Sequence, residues 1–215
     1  MALQLYEMLS AAALLLALAT VVQRRVVTCV GLYAAQSLLL AAATAVAAAR
    51  GGPSELYAVA IVTVLIKVLL IPLVLLRIIT KLKIRQDVEP FLSLPVSAAF
   101  AVLSVVVSFY VGGRLREATG EAHDFVLPCS IALMLEGLLV MLARIKAIMQ
   151  IVGLLLMENG IFLIALGLVE NVPLMVELGI TFDVLVAAIV MGTFVYQIGQ
   201  TFESIDVDDL RFLKG

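Results

Sequence analysis

The stretch from Gly153 to Asp183, GLLLMENGIFLIALGLVENVPLMVELGITFD, decides how this chain is read. It holds two long apolar runs separated by a short turn, and each run carries a carboxylate near its middle: Glu158 in the first, Asp183 in the second. A carboxylate in hydrocarbon is costly and persists mainly where it faces protein or water and has a task there. Glu158 and Asp183 are therefore expected to be stations of a proton path inside a membrane protein.

Composition agrees. The 215 residues are 64% hydrophobic, with a mean hydropathy of +1.19. A globular interior could not hide that excess. Several apolar runs reach the ~20 residues that span a bilayer as a helix. A β-barrel is excluded because the runs are continuously apolar, without alternation. No basic patch interleaved with aromatics is present, so nucleic acid is not an expected partner. Cys29 and Cys129 both lie in apolar runs, which excludes a disulfide framework or a cysteine-rich metal site. A single histidine, His123, cannot form a bis-histidine haem site.

Working outward from the opening stretch, seven helical runs are expected: Leu3 to Val22, Val26 to Ala49, Glu55 to Ile79, Phe91 to Val111, Phe125 to Ala143, Ala147 to Leu168 and Val172 to Ile198. The first contains Glu7 and no Lys or Arg at its start, unlike a signal peptide. A basic loop from Arg77 to Pro90 follows the third run, and a polar loop from Gly112 to Asp124 follows the fourth. The fold class is thus an all-α polytopic membrane protein with seven transmembrane helices. Its organisation is an N-terminal four-helix segment over 1–112, a C-terminal three-helix segment over 113–198 and an acidic tail over 199–215.

Short-loop basic residues set orientation. With the N-terminus outside, Arg24, Arg25, Arg77, Lys81, Lys83, Arg85, Arg144, Lys146, Arg211 and Lys214 fall inside, against Arg50, Arg114 and Arg116 outside. The expectation is N-terminus out and C-terminus in the cytoplasm, in the cell's inner (plasma) membrane. A weak repeat also shows: Arg24, Gly31, Gln36 and Glu55 stand 122 positions before Lys146, Gly153, Glu158 and Glu177. Parallel repeats of this kind occur in transporters. Only the second copy carries a titratable group at the level of Gln36 and Glu158.

Depth selects the chemistry. At 1.5 Å per residue, Glu158 lies roughly 16 Å from the inner end of its helix. Asp183 is about as deep from the outer end of its own helix, and Lys67 sits near the centre of the third. Glu136 lies nearer the inner side and Glu177 nearer the outer. Graded depths suit a relay; the competing reading is static pairing that glues helices together. Pro72 denies a hydrogen bond to the Val68 carbonyl and is expected to kink the third helix beside Lys67. Gly153, Gly160 and Gly167 recur every seven residues, so they line one face and let a neighbour approach closely. Glu158 is turned about 140° from that face.

From Arg144 to Lys146, through GLLLMEN at 153–159, to the acidic seventh run and the Ile205-Asp206 tail, the chain resembles the small K-type subunit of respiratory complex I and its relative in multisubunit cation/proton antiporters. Over its whole length, through MENGIFLIALG, ELGITFDVLVAAIVMG and the SID tail, it resembles hydrogenase-4 component E, a membrane subunit of formate hydrogenlyase and group 4 [NiFe]-hydrogenases. The K-type resemblance implies one proton-transferring glutamate in the middle helix and one in the last. With Gly153 on the family glycine, the glutamate column holds Leu155; Glu158 is three residues on, and Asp183 takes the last-helix role. The resemblance further implies a non-catalytic subunit of an oxidoreductase, coupling electron transfer to proton or sodium movement. It would carry no catalytic residue, cofactor or metal of its own. Its implied partners are hydrogenase large and small subunits, antiporter-like membrane subunits and a membrane anchor subunit. Two rivals stand beside this reading: a structural adaptor whose buried charges pair without titrating, and a free-standing small-solute transporter.

Overall fold

The computed structural model describes residues 2–49, 52–81, 91–119 and 125–168. The seventh run with Glu177 and Asp183, the tail, His123 and most of the basic loop lie outside the described residues. Within them the chain is helical: α1 Ala2–Val22, α2 Val26–Ala49, α3 in three continuous stretches (Glu55–Thr63, Val64–Leu70 and Ile71–Lys81), α4 Leu94–Thr119, α5 Val126–Ala143 and α6 Ala147–Leu168. All six are long and apolar enough to cross a bilayer. The chain is a multi-pass helical membrane protein.

Two hairpins form the centre. α1 and α2 are joined by Gln23, Arg24 and Arg25, and α5 and α6 by Arg144, Ile145 and Lys146. The Gln23 side chain accepts the Arg24 backbone N–H at 2.8 Å, closing the first turn. The two turns lie at the same end of the molecule. The Arg144 guanidinium, 3% exposed, donates to the carbonyls of Val21 and Gln23 at the end of α1. A cation there complements the helix C-terminus. Burial lowers the Arg144 pKa from its ordinary value, yet a guanidinium keeps its charge in proteins. The hairpins thus stand side by side and run the same way, α1 along α5 and α2 along α6. Their turns are equal in length, yet the glycines paired by the weak repeat differ: Gly153 is buried in a helix seam, whereas among the described residues a Cβ on Gly31 would meet nothing within 4 Å.

α3 packs on α2, and α4 on α5 and α1. Pro72 acts differently from a simple kink. It has no N–H, and its ring cannot face the carbonyl four residues back. The helix answers by widening into a π segment over Val64–Leu70, where the Ile71 N–H reaches Ile66 O, five residues back. The buried face of α3 accordingly steps by four residues, Lys67 to Ile71 to Leu75, so Lys67 stays in line with the core. Single π turns of this kind frequently mark functional sites.

α4 corrects the expected loop at Gly112. The helix continues to Thr119, and the boundary expected between residues 112 and 113 falls inside it. Gly112 serves packing rather than a turn: a Cβ there would sit 2.5 Å from Pro128 Cγ. The inward stripe of α4 is small, Ser97, Ala101, Ser108 and Gly112, and most of its larger side chains point outward.

Among the described residues the core holds two large apolar clusters and a small third one, Ala48 with Leu56. One, toward the turns, includes Val30, Tyr33, Leu75, Ile79, Met149 and Val152. The other, toward the opposite end, includes Tyr6, Leu14, Leu40, Leu133 and Leu163. Between the two large clusters lies a layer of buried polar side chains from α2, α3 and α6.

Candidate functional site

That layer centres on Lys67 and Glu158. Nζ and Oε1 stand 2.9 Å apart, with the two side chains 3% and 4% exposed. Each occupies the middle of its span. The pair joins α3 to α6, two helices whose backbones stay apart, so the long lysine stem bridges the gap. Asn159 extends the layer. Its Oδ1 accepts from Lys67 Nζ at 3.4 Å, and its Nδ2 donates to Gln36 Oε1 at 2.9 Å and Ser37 Oγ at 3.2 Å. Gln36 Nε2 in turn donates to the Ala13 backbone carbonyl at 3.1 Å. Lys67 Nζ also lies 5.4 Å from the centre of the Phe162 ring, within cation–π range. One connected network therefore crosses four helices at mid-depth. It can hold a cation and an anion apart from water and can accept or release a proton at Glu158.

Glu136 forms a second, separate buried polar site. It is fully buried, and Ser104 Oγ of α4 donates to its Oε1 at 2.5 Å. Among the described residues its Oε2 has no hydrogen-bond partner. Ser104 is its one partner among the described residues, so Glu136 stands apart from the Lys67–Glu158 network. Among the described residues, no three of His, Cys, Asp and Glu gather as a metal ion would require. The sequence reading named Lys67, Glu158 and Glu136 but missed Asn159, Ser37, Ser104 and Phe162 as contributors. A signal for Asn159 existed: an amide next to a mid-span carboxylate has few other reasons to be there. The hydroxyls gave none, since Ser occurs throughout apolar runs here and hydrogen-bonds its own helix, as Ser10 and Ser130 do. Asp183, the other expected station, lies outside the described residues, and the described carboxylate beside Lys67 is Glu158.

On the opposite face of α6 the glycines meet α5. A Cβ on Gly153 would sit 2.7 Å from Gly137 O and 2.8 Å from Met141 N, and one on Gly160 2.7 Å from Met134 N and 2.8 Å from Ser130 O. Gly137 is the reciprocal glycine, with a Cβ there 2.6 Å from Gly153 O. Gly167 lies in the α6 backbone, with its surroundings outside the described residues. Backbone contact on one side of α6 thus fixes the position of Glu158 and Asn159 on the other.

The register of α2 against α6 is checked by crosslinking. With Cys29 and Cys129 replaced by alanine, Ser37→Cys with Asn159→Cys is expected to be bridged by a short thiol reagent. Leu38→Cys with Asn159→Cys is not, because Leu38 is 50% exposed on the outer side of α2.

The fold and the site together define a polytopic helical membrane protein built around an ion pair at mid-depth. No protein-family model matches the chain, and no solved structure matches it significantly. It is 32% identical to the uncharacterized protein Rv0085 of Mycobacterium tuberculosis, over 77% of this chain and 76% of that protein, and it belongs to the same family. It is also 28% identical to hydrogenase-4 component E of Escherichia coli and of Shigella flexneri, over 86% of each chain.

Proposed function

We propose that this chain is a membrane subunit of a hydrogenase-type oxidoreductase complex and that Glu158, held by Lys67, carries ions coupled to electron transfer. The carrying observation is the buried Lys67–Glu158 pair at mid-depth in a chain similar along most of its length to hydrogenase-4 component E. A paired carboxylate in the membrane interior is suited to take up and release a proton or sodium ion as its partner moves. Glu136 with Ser104 would be a second station. Asp183 and Glu177 would extend the path through a seventh helix, with the N-terminus outside, the C-terminus in the cytoplasm, and the chain in the inner membrane. The partners would be hydrogenase large and small subunits, antiporter-like membrane subunits and an anchor subunit, and the redox chemistry would reside in them.

One observation favours the adaptor reading: the ion pair is closed, and a closed pair can hold helices without titrating. Membership of the complex is tested by gentle purification of the tagged chain from native membranes. Co-purification of a hydrogenase module and antiporter-like subunits is expected. Recovery of the chain alone, moving a small solute in vesicles, would instead support the transporter reading.

A further inference from the structure

Two seats of Lys67 among the described residues differ in kind. One is the Glu158 carboxylate at 2.9 Å. The other is neutral: Asn159 Oδ1 at 3.4 Å and the Phe162 ring at 5.4 Å. Asn159 and Phe162 are one and four positions beyond Glu158 on α6, so one stretch of helix presents both seats.

The orientation of Asn159 follows from chemistry at the far end of the network. The Ala13 backbone carbonyl can only accept, so Gln36 must turn its Nε2 to it. Gln36 Oε1 then faces Asn159 and calls for a donor, which fixes Nδ2 there and leaves Oδ1 toward Lys67. A carbonyl of α1 thereby aims an acceptor at the ammonium through two amides, all donors running one way from Lys67 to α1.

We infer that Asn159, oriented by Gln36 and backed by Phe162, is a positioning residue that keeps the Lys67 ammonium held when Glu158 is neutral. The inference rests on the reading of Glu158 as a proton carrier. A carrier pair with a single seat would leave its lysine, at every uptake of a proton, with only the weak carbonyl acceptor of a neutral acid, and an under-compensated ammonium at mid-depth is costly. A second, uncharged seat removes that penalty and lets the carboxylate cycle while the lysine remains a cation.

The test uses the full-length chain in mild detergent and its half-life in the folded state at a fixed temperature. Glu158→Leu leaves only the neutral seat, and Asn159→Leu leaves the ion pair, so each single change is expected to shorten the half-life modestly. The double variant is expected to lose about tenfold more than the product of the two, as residues of one network couple. Adding Lys67→Met should restore much of that loss, since no ammonium then needs a seat. Losses that merely multiply in the double variant, or a triple variant no better than the double, would overturn the inference. If the double variant does not fold, recovery of folded protein on adding Lys67→Met supports the inference and failure to recover overturns it. These measurements read the seat alone; ion pumping by Glu158→Gln reads the carrier role, so either can fail separately.

Discussion

Gly160→Leu is expected to abolish accumulation of the folded protein. The α5–α6 seam is backbone on backbone, and even a methyl group at Gly160 would lie 2.7 Å from Met134 N and 2.8 Å from Ser130 O. Those atoms belong to the rigid α5 helix and cannot swing aside as a side chain tip can. Separating the helices by a leucine would also break the Gly137–Gly153 contact about two turns away. The cost should exceed the ~3 kcal/mol upper end of ordinary overpacking. Gly31→Leu is the control: among the described residues a Cβ there meets nothing within 4 Å, and near-normal yield is expected. Measured membrane yields of the two variants decide the point. Normal accumulation of Gly160→Leu would show that the seam is loose.

Lys67→Met is expected to be the most destabilising change in the polar layer. Methionine keeps much of the apolar stem but removes the cation that faces Glu158. Removing one member of a buried pair costs about 3–5 kcal/mol, because the remaining charge stays buried. Lys67→Met with Glu158→Gln removes both charges and should recover most of the loss, so the two changes are strongly non-additive. Glu158→Gln alone is milder, since glutamine and Asn159 still accept from the ammonium. Unfolding of the purified variants in detergent checks this. Equal stability of Lys67→Met and wild type, or losses that add in the double variant, would contradict a tight pair.

Helix positions were largely legible in the sequence. Val26–Ala49 and Ala147–Leu168 coincide with their apolar runs, because a bilayer rewards continuous apolar helices and polar residues mark their ends. The exit of α4 was not legible. Gly112 and Gly113 looked like a turn, but tight contact with Pro128 supplies a packing reason for Gly112, which only a folded structure shows. Pro72 was rightly singled out as an irregularity, yet sequence alone does not say whether a helix breaks or widens. In the site, charge within apolar runs pointed to Lys67, Glu158 and Glu136. Which carboxylate faces Lys67 depends on helix rotation and packing; three helices' worth of periodicity cannot fix that. Neutral partners such as Asn159 and Ser104 are ordinary residues until a neighbour gives them a role.

The central claim is tested most directly by Glu158→Gln in the assembled complex, reconstituted in vesicles, with electron transfer and ion translocation measured together. Glutamine preserves shape and hydrogen bonding but cannot carry a proton. The account predicts continued electron transfer with the number of ions moved per electron reduced severalfold or abolished. An unchanged ratio would contradict it and leave Lys67–Glu158 as a structural clasp.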